Sequence, residues 1–224
     1  MIRYHRDLIQ GSEEWLAARC GILTASEMRL IVTPTLKPAN NDKERAHLYE
    51  ILAQRITSYV VPAYVSDDML RGQVDEIDAV ALYTKHYAPV DLVGFVTNDQ
   101  WGFTIGYSPD GLVGDDGLIE CKSRRQKFQI ETLVSGAVPD EHMIQLQTGL
   151  LVTGRAWIDY VSYSAGLPMV TIRVEPNAIM QTAIVHAAEM FEARLQKRRT
   201  EYGDLMPARR TIPTERKIEK DMHL

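Results

Sequence analysis

The chain has 224 residues, 45% of them hydrophobic and 25% charged. That suits one α/β domain with a core of normal size and excludes global disorder. A net charge of −5 argues against a generic basic nucleic-acid binder, and no apolar run approaches the ~18 residues that span a bilayer. The first residues lack an apolar signal core, so a cytoplasmic protein with reduced thiols is expected. Cys20 and Cys121 form no CxxC pair, which excludes zinc ribbons and iron–sulfur clusters but leaves a disulfide between them open. The histidines form no H-x-x-x-H pair, so a zinc site is not expected either.

Taken in chain order, Ser12 followed by Glu13 and Glu14 predicts a helix start, with Gly21 beyond its end. Thr24-Ala25-Ser26-Glu27 fits a capping box, predicting a second short helix. Pro34 to Asn41 reads as a loop. From about Asp42 to Ser58, Leu48, Ile51, Leu52 and Ile56 recur at helical spacing. Ser66 caps the next helix, which runs to about Tyr87 with Leu70, Val74, Ile77, Val80 and Ala81 on its apolar face.

The period then changes. Val90–Thr97 and Trp101–Ser108 read as strands joined at Asn98 and Asp99, and Leu118–Ser123 as a third. Gln126–Val134 and Asp140–Val152 read as helices, Ala156–Ser164 and Met169–Val174 as a hairpin, and Asn177–Tyr202 as a long helix. The expected fold is α/β, with a central mixed sheet flanked by helices. Residues 1–205 are expected to form one domain, and 206–224 a charged tail or partner-contacting arm.

The chemistry is carried by the stretch from Tyr107 to Lys122. Asp110 stands in a turn after one strand, while Glu120 and Lys122 stand two residues apart on the next. Alternation on a strand sends Glu120 and Lys122 to one face and Ile119 and Cys121 to the other. Two carboxylates can hold Mg2+ beside a phosphodiester, and the Cys121 carbonyl is a plausible further oxygen ligand. A lysine beside the attacked phosphate stabilises charge as it develops. Taken alone, the same residues also describe a common Asp-Gly turn and a solvated strand. A calcium loop is disfavoured, because Leu112 and Gly114 stand where oxygen side chains are needed.

Ser108-Pro109-Asp110-Gly111 followed by Glu120-Cys121-Lys122 resembles the core motif of the PD-(D/E)XK nuclease superfamily. More narrowly, the chain resembles the phage lambda-type exonucleases, or YqaJ-like viral recombinases. Supporting segments are Gln10–Glu27, with Trp15, Arg19 and Thr24-Ala25-Ser26-Glu27, and Arg71-Gly72-Gln73-Val74-Asp75-Glu76. His142-Met143-Ile144-Gln145-Leu146-Gln147 and the turn Val152–Trp157 come after them in the expected order.

The resemblance implies Glu76, Asp110 and Glu120 as metal ligands, Lys122 as the catalytic lysine and Gln145 near the attacking water. It implies Arg19 and Ser26 as the grip on a DNA-end phosphate, and an apolar wedge at Met69 and Leu70. Two Mg2+ ions are expected, with Mn2+ able to substitute. The implied activity is 5′-3′ degradation of one strand of duplex DNA, leaving 3′ tails for phage-type recombination with a single-strand annealing protein. A homotrimeric ring in the host cytoplasm is implied as well. Arg124, Arg125 and Lys127 could contact the DNA backbone and offset the acidic pI. The alternatives are a PD-(D/E)XK endonuclease of restriction or junction-resolving type, and a catalytically silent DNA-binding module.

Overall fold

The computed structural model describes residues 1–62 and 66–216. The fold is mixed α/β, as the order of elements predicts, but the strands form two four-stranded sheets rather than one. The first contains β1 (Ile2–His5), β3 (Phe95–Asn98), β4 (Ile105–Tyr107) and β2 (Leu23–Thr24), in that order. The second contains β5 (Gly111–Val113), β6 (Gly117–Ser123), β7 (Trp157–Tyr163) and β8 (Val170–Val174). Both are mixed, because β2 runs parallel to β4 and β6 parallel to β7. The chain crosses from the first sheet to the second through Ser108-Pro109-Asp110. Pro109 has no N–H with which to continue a ladder. The turn that carries Asp110 is thus the junction between the sheets.

The helices are α1 (Glu13–Arg19), α2 (Asp42–Thr57), α3 (Asp67–His86), α4 (Gln126–Ser135), α5 (Asp140–Thr153) and α6 (Ala178–Leu205). Four begin with a side-chain cap: Ser12, Asn41, Ser66 and Asn177 each accept from a backbone N–H of the first turn. Beyond α6, residues 206–216 are exposed and without regular structure past a short turn. His223 and the rest of the expected tail lie outside the described residues.

Alternation on β5–β7 divides the packing. Leu112, Leu118, Ile158 and Tyr160 join the main core with Leu146 and Leu150 of α5 and with Ile184, Ala187, Ala188, Phe191 and Leu195 of α6. The α6 residues keep the spacing of one helical face. Val113, Ile119, Cys121 and Val161 face the other way, against Ala79 and Tyr83 of α3. Cys20 and Cys121 are both free thiols.

Two local expectations are corrected. Thr24 does not cap a helix, because Leu23 and Thr24 pair with Ile105 and Gly106 of β4. The Thr24–Glu27 link survives as a side-chain hydrogen bond, Thr24 Oγ1 donating to Glu27 Oε2 at 2.7 Å. Past it, Met28–Leu30 forms a three-residue 3-10 helix. The second correction concerns α3, whose stripe Leu70, Val74 and Ile77 is 51%, 61% and 70% exposed. The face towards the sheet is Asp75, Ala79 and Tyr83. Polar ties dock this helix: Tyr83 Oη donates to buried Asp159 at 2.6 Å, and Arg173 clamps the same carboxylate with two nitrogens. Ser123 Oγ donates to Asp75.

Gly149 of α5 lets that helix approach β4. A Cβ there would lie 2.8 Å from the ring of Tyr107, which is buried. Gly149→Val is expected to cost about 1–3 kcal/mol through overpacking. Urea denaturation at fixed pH measures it; unchanged stability would show that the Tyr107 ring is free to move.

Candidate active site

The sequence-predicted carboxylates converge where the two sheets meet. Glu120 is 2% exposed and Asp110 9%. On β6, Lys122 Nζ donates to Glu120 Oε1 at 2.7 Å, so the two side chains share a face, as alternation requires. Gln145, reaching from α5, donates through Nε2 to the same oxygen at 2.5 Å. The other oxygen, Oε2, accepts from Tyr107 Oη at 2.6 Å. Asp110 Oδ2 accepts from the backbone N–H of Cys121 at 2.6 Å. Cys121 therefore meets the site through its backbone, while its side chain packs on the opposite face.

Glu76 completes the set from α3, one residue beyond the Asp75 tie. Its carboxyl pKa is raised, first by burial and then by the charge of Glu120, against the pull of Lys122. Asp110 is raised well above the usual carboxylate range by burial, then by Glu120 and Glu76. Burial works against the Lys122 ammonium, but Glu120 and Asp110 outweigh it and hold its pKa above the ordinary lysine value. Burial, Glu120 and Asp110 likewise keep the Tyr107 phenol protonated and a donor.

Among the described residues, no three His, Cys, Asp or Glu side chains stand as a ready metal cage. The carboxylates are turned instead onto the donors just named. Two buried carboxylates, Asp110 and Glu120, and the half-buried Glu76 repel one another around one ammonium, and nonetheless form an oxygen-rich donor set with surplus negative charge. That chemistry fits a hard divalent cation.

Beside this cluster, Arg19 ends α1 and lies over the face of Trp15, its guanidinium 4.2 Å from the ring centroid. Its Nη1 donates to Ser108 Oγ at 3.1 Å and its Nη2 to Thr24 Oγ1 at 3.3 Å. Burial lowers its pKa, and Glu27 opposes that shift. Ser26 is exposed, with its Oγ 3.4 Å from Thr24 Oγ1. It lies in a turn rather than inside a helix, so no helix dipole adds to its hydroxyl. Arg19 and Ser26 are thus linked through Thr24. Ser108 ties Arg19 to the turn that carries Asp110.

Sequence reasoning missed Tyr107, Ser108 and Gln10. Tyr107 and Ser108 stood inside the motif, but a β-strand tyrosine and a serine before proline read as packing and turn residues. Gln10 Nε2 donates to the Pro109 carbonyl at 2.9 Å and holds the turn from outside. No local sequence pattern signals a contact across 99 positions. Of the three basic residues after β6, Arg124 is engaged by Glu141 at 2.9 Å, and Lys127 lies over the Phe128 ring.

Comparison with known proteins bears on the fold and the family. No curated protein sequence matches the chain. An alkaline exonuclease from Laribacter hongkongensis, LHK-Exo, is 32% identical; the match covers 87% of this chain and 100% of that one, with a TM-score of 0.72. LHK-Exo in complex with dAMP matches with a TM-score of 0.74 at the same identity and coverage. A phage-related exonuclease from Haemophilus somnus 129PT, 14% identical over 79% of this chain and 96% of its own, shares the fold with a TM-score of 0.53. The YqaJ-like viral recombinase domain matches residues 14–156, a span that holds every site residue described above except Gln10. The chain therefore belongs to the YqaJ-like viral recombinase family, that of the lambda-type exonucleases.

Proposed function

We propose that the protein is a metal-dependent exonuclease that degrades one strand of duplex DNA from its 5′ end and leaves 3′ single-stranded tails. The observation that carries the reading is the meeting of Asp110, Glu120, Lys122, Gln145 and Glu76 beside the Arg19–Ser108 contact. Asp110, Glu120 and Glu76, with the backbone of Cys121, would hold Mg2+, or Mn2+ in its place, and two ions suit the charge of the set. When bound, such ions polarise the phosphoryl group and lower the pKa of water.

The chain's own residues supply the rest. Lys122 keeps its proton and presents a point charge to the oxygen on which negative charge builds. Gln145 donates now to Glu120 and can orient a water at the same oxygen. Tyr107 fixes the second oxygen of Glu120, so that the carboxylate keeps one orientation. Arg19, held over the Trp15 ring, offers a guanidinium fork to a terminal phosphate, with Ser26 as a neighbouring hydroxyl. The presence of dAMP, a deoxynucleoside monophosphate, in an LHK-Exo structure supports a site that accepts such a group. The 3′ tails are the substrate expected for a single-strand annealing partner. A homotrimeric ring would keep the duplex engaged between cuts, which eases the conflict with a net charge of −5.

An end-binding anchor distinguishes this reading from an internal cutter. Each cut leaves a fresh 5′-phosphate, which carries more charge than an internal diester. The wild-type protein is expected to attack 5′-phosphorylated ends faster than 5′-hydroxyl ends, and Arg19→Ala to erase that difference and shorten processive runs. Initial rates on the two ends, for both proteins, test this. Equal rates on the two ends in the wild type would reduce Arg19 to a structural residue and remove the 5′-end assignment.

A further inference from the structure

Arg124 comes two residues after Lys122, just past the end of β6, where its backbone N–H donates to the Tyr163 carbonyl at 2.7 Å. It faces the first turn of α5 much as Glu120 faces Gln145 one turn later. Its Nη1 donates to Glu141 Oε1 at 2.9 Å and lies 3.0 Å from His142 Nε2. The Arg124 side chain is only 11% exposed, and its Nε is buried with no hydrogen-bond partner. Arg29, from the 3-10 helix, adds its charge to the same spot, acting on both Glu141 and His142.

The charges of Lys122, Arg124 and Arg29 all act on His142, against that of Glu141. Burial first, and then these charges, lower its pKa to about 4, so at neutral pH the ring carries no charge. Among the described residues, the anion in contact with Arg124 is Glu141. Its carboxyl is held below the usual range, first by the Arg124 hydrogen bond, against slight burial, and then by the Arg124 and Arg29 charges. Unlike Arg124, its side chain is 58% exposed. It also borders, with Arg29, a cavity of about 820 Å3 between the 3-10 helix and α5. The carboxylate thus has room to swing away from Arg124, and an anion has a route in.

We propose that Arg124, Arg29 and His142 form a subsite for a DNA backbone phosphate next to the scissile one, and that Glu141 occupies it as a phosphate surrogate in the free protein. A carboxylate and a phosphate present the same kind of acceptor oxygens to a guanidinium. Glu141 thereby keeps a largely buried arginine side chain paired when no DNA is bound, which avoids the cost of an uncompensated charge. The DNA must displace it, so the surrogate weakens binding and lets the strand advance between cuts. This deepens the exonuclease reading and rests on it.

The test uses the full chain and a fluorescent duplex with one 5′-phosphorylated end, with Ca2+ replacing Mg2+ and anisotropy as readout across a range of salt. Glu141→Gln is expected to bind several-fold more tightly than wild type. Arg124→Gln is expected to bind about tenfold more weakly and to lose about one from the salt slope, as for one phosphate contact. In an Arg124→Gln background, Glu141→Gln should no longer tighten binding. Circular dichroism melting checks that each variant is folded, and Arg124→Lys gives a second, milder test, with an intermediate affinity expected. Unchanged or weaker binding by folded Glu141→Gln would overturn the subsite, since a merely structural Glu141 has no reason to oppose DNA. If that happens while wild type still degrades linear duplex with Mg2+, only the subsite fails. A wild type that neither binds nor cuts the duplex would overturn both readings.

Discussion

Asp110→Asn is expected to abolish hydrolysis and, at the same time, to stabilise the metal-free protein. The amide keeps the acceptor for the Cys121 N–H but removes one carboxyl from a set whose charges repel one another. Losing that charge removes a ligand rather than the DNA surface, so the rate should fall by more than ~10³ while duplex binding persists. The stability effect has a definite sign. The folded-state pKa of Asp110 is raised, so its carboxyl favours folding only while protonated. That contribution is lost as pH rises through the folded value, above the ordinary carboxylate range. The metal-free wild type should therefore gain stability relative to Asp110→Asn as pH is lowered from 8 towards 5.

Each tenfold change in proton affinity is worth about 1.4 kcal/mol, and 1 kcal/mol moves Tm by roughly 2–4 °C in a chain of this size. Melting curves in a chelator measure the difference. Added Mg2+ should raise the wild-type Tm and leave the variant nearly unmoved. Near-normal hydrolysis by Asp110→Asn, or a Tm below wild type in the chelator at pH 8, would contradict the proposed ligand role.

Lys122→Ala should lower turnover by roughly 10²–10³-fold and change duplex affinity far less, because its ammonium acts on charge that appears only in the transition state. Lys122 now neutralises part of the carboxylate cluster, so its loss should also lower the Tm of the metal-free protein. Lys122→Arg should rescue poorly, since a planar fork cannot stand in for a compact ammonium at 2.7 Å from Glu120. Single-turnover rates and dissociation constants for the three proteins separate the two effects. Weakened binding with intact turnover would make Lys122 a plain phosphate contact.

Much of the site was legible because its chemistry lies on one strand and one turn. Strand alternation alone placed Glu120 with Lys122 and turned Cys121 away. Gln145 and Glu76 came from the family resemblance, not from spacing. Nothing local says that residues on α5 and α3 approach β6. The apolar stripe of α3 misled for a physical reason: its docking face is built on Tyr83, Asp75 and Ala79. Counting hydrophobic residues cannot find a helix anchored by buried polar pairs. The capping-box pattern failed because β2 claims Thr24 through a partner, β4, that lies 82 residues away. The division into two sheets was hidden likewise, since each strand reads the same whichever neighbour it pairs with.

Exonuclease action itself is tested most directly by incubating linear and covalently closed circular duplex DNA, of the same sequence, with the protein and Mg2+. The geometry of Arg19, Ser108 and the carboxylate cluster predicts that the linear form is degraded to mononucleotides and single strands while the closed circle stays intact. Nicking or linearisation of the circle would contradict that account and select the endonuclease. An untouched linear duplex, with the wild-type protein folded and Mg2+ or Mn2+ present, would contradict the nuclease reading altogether.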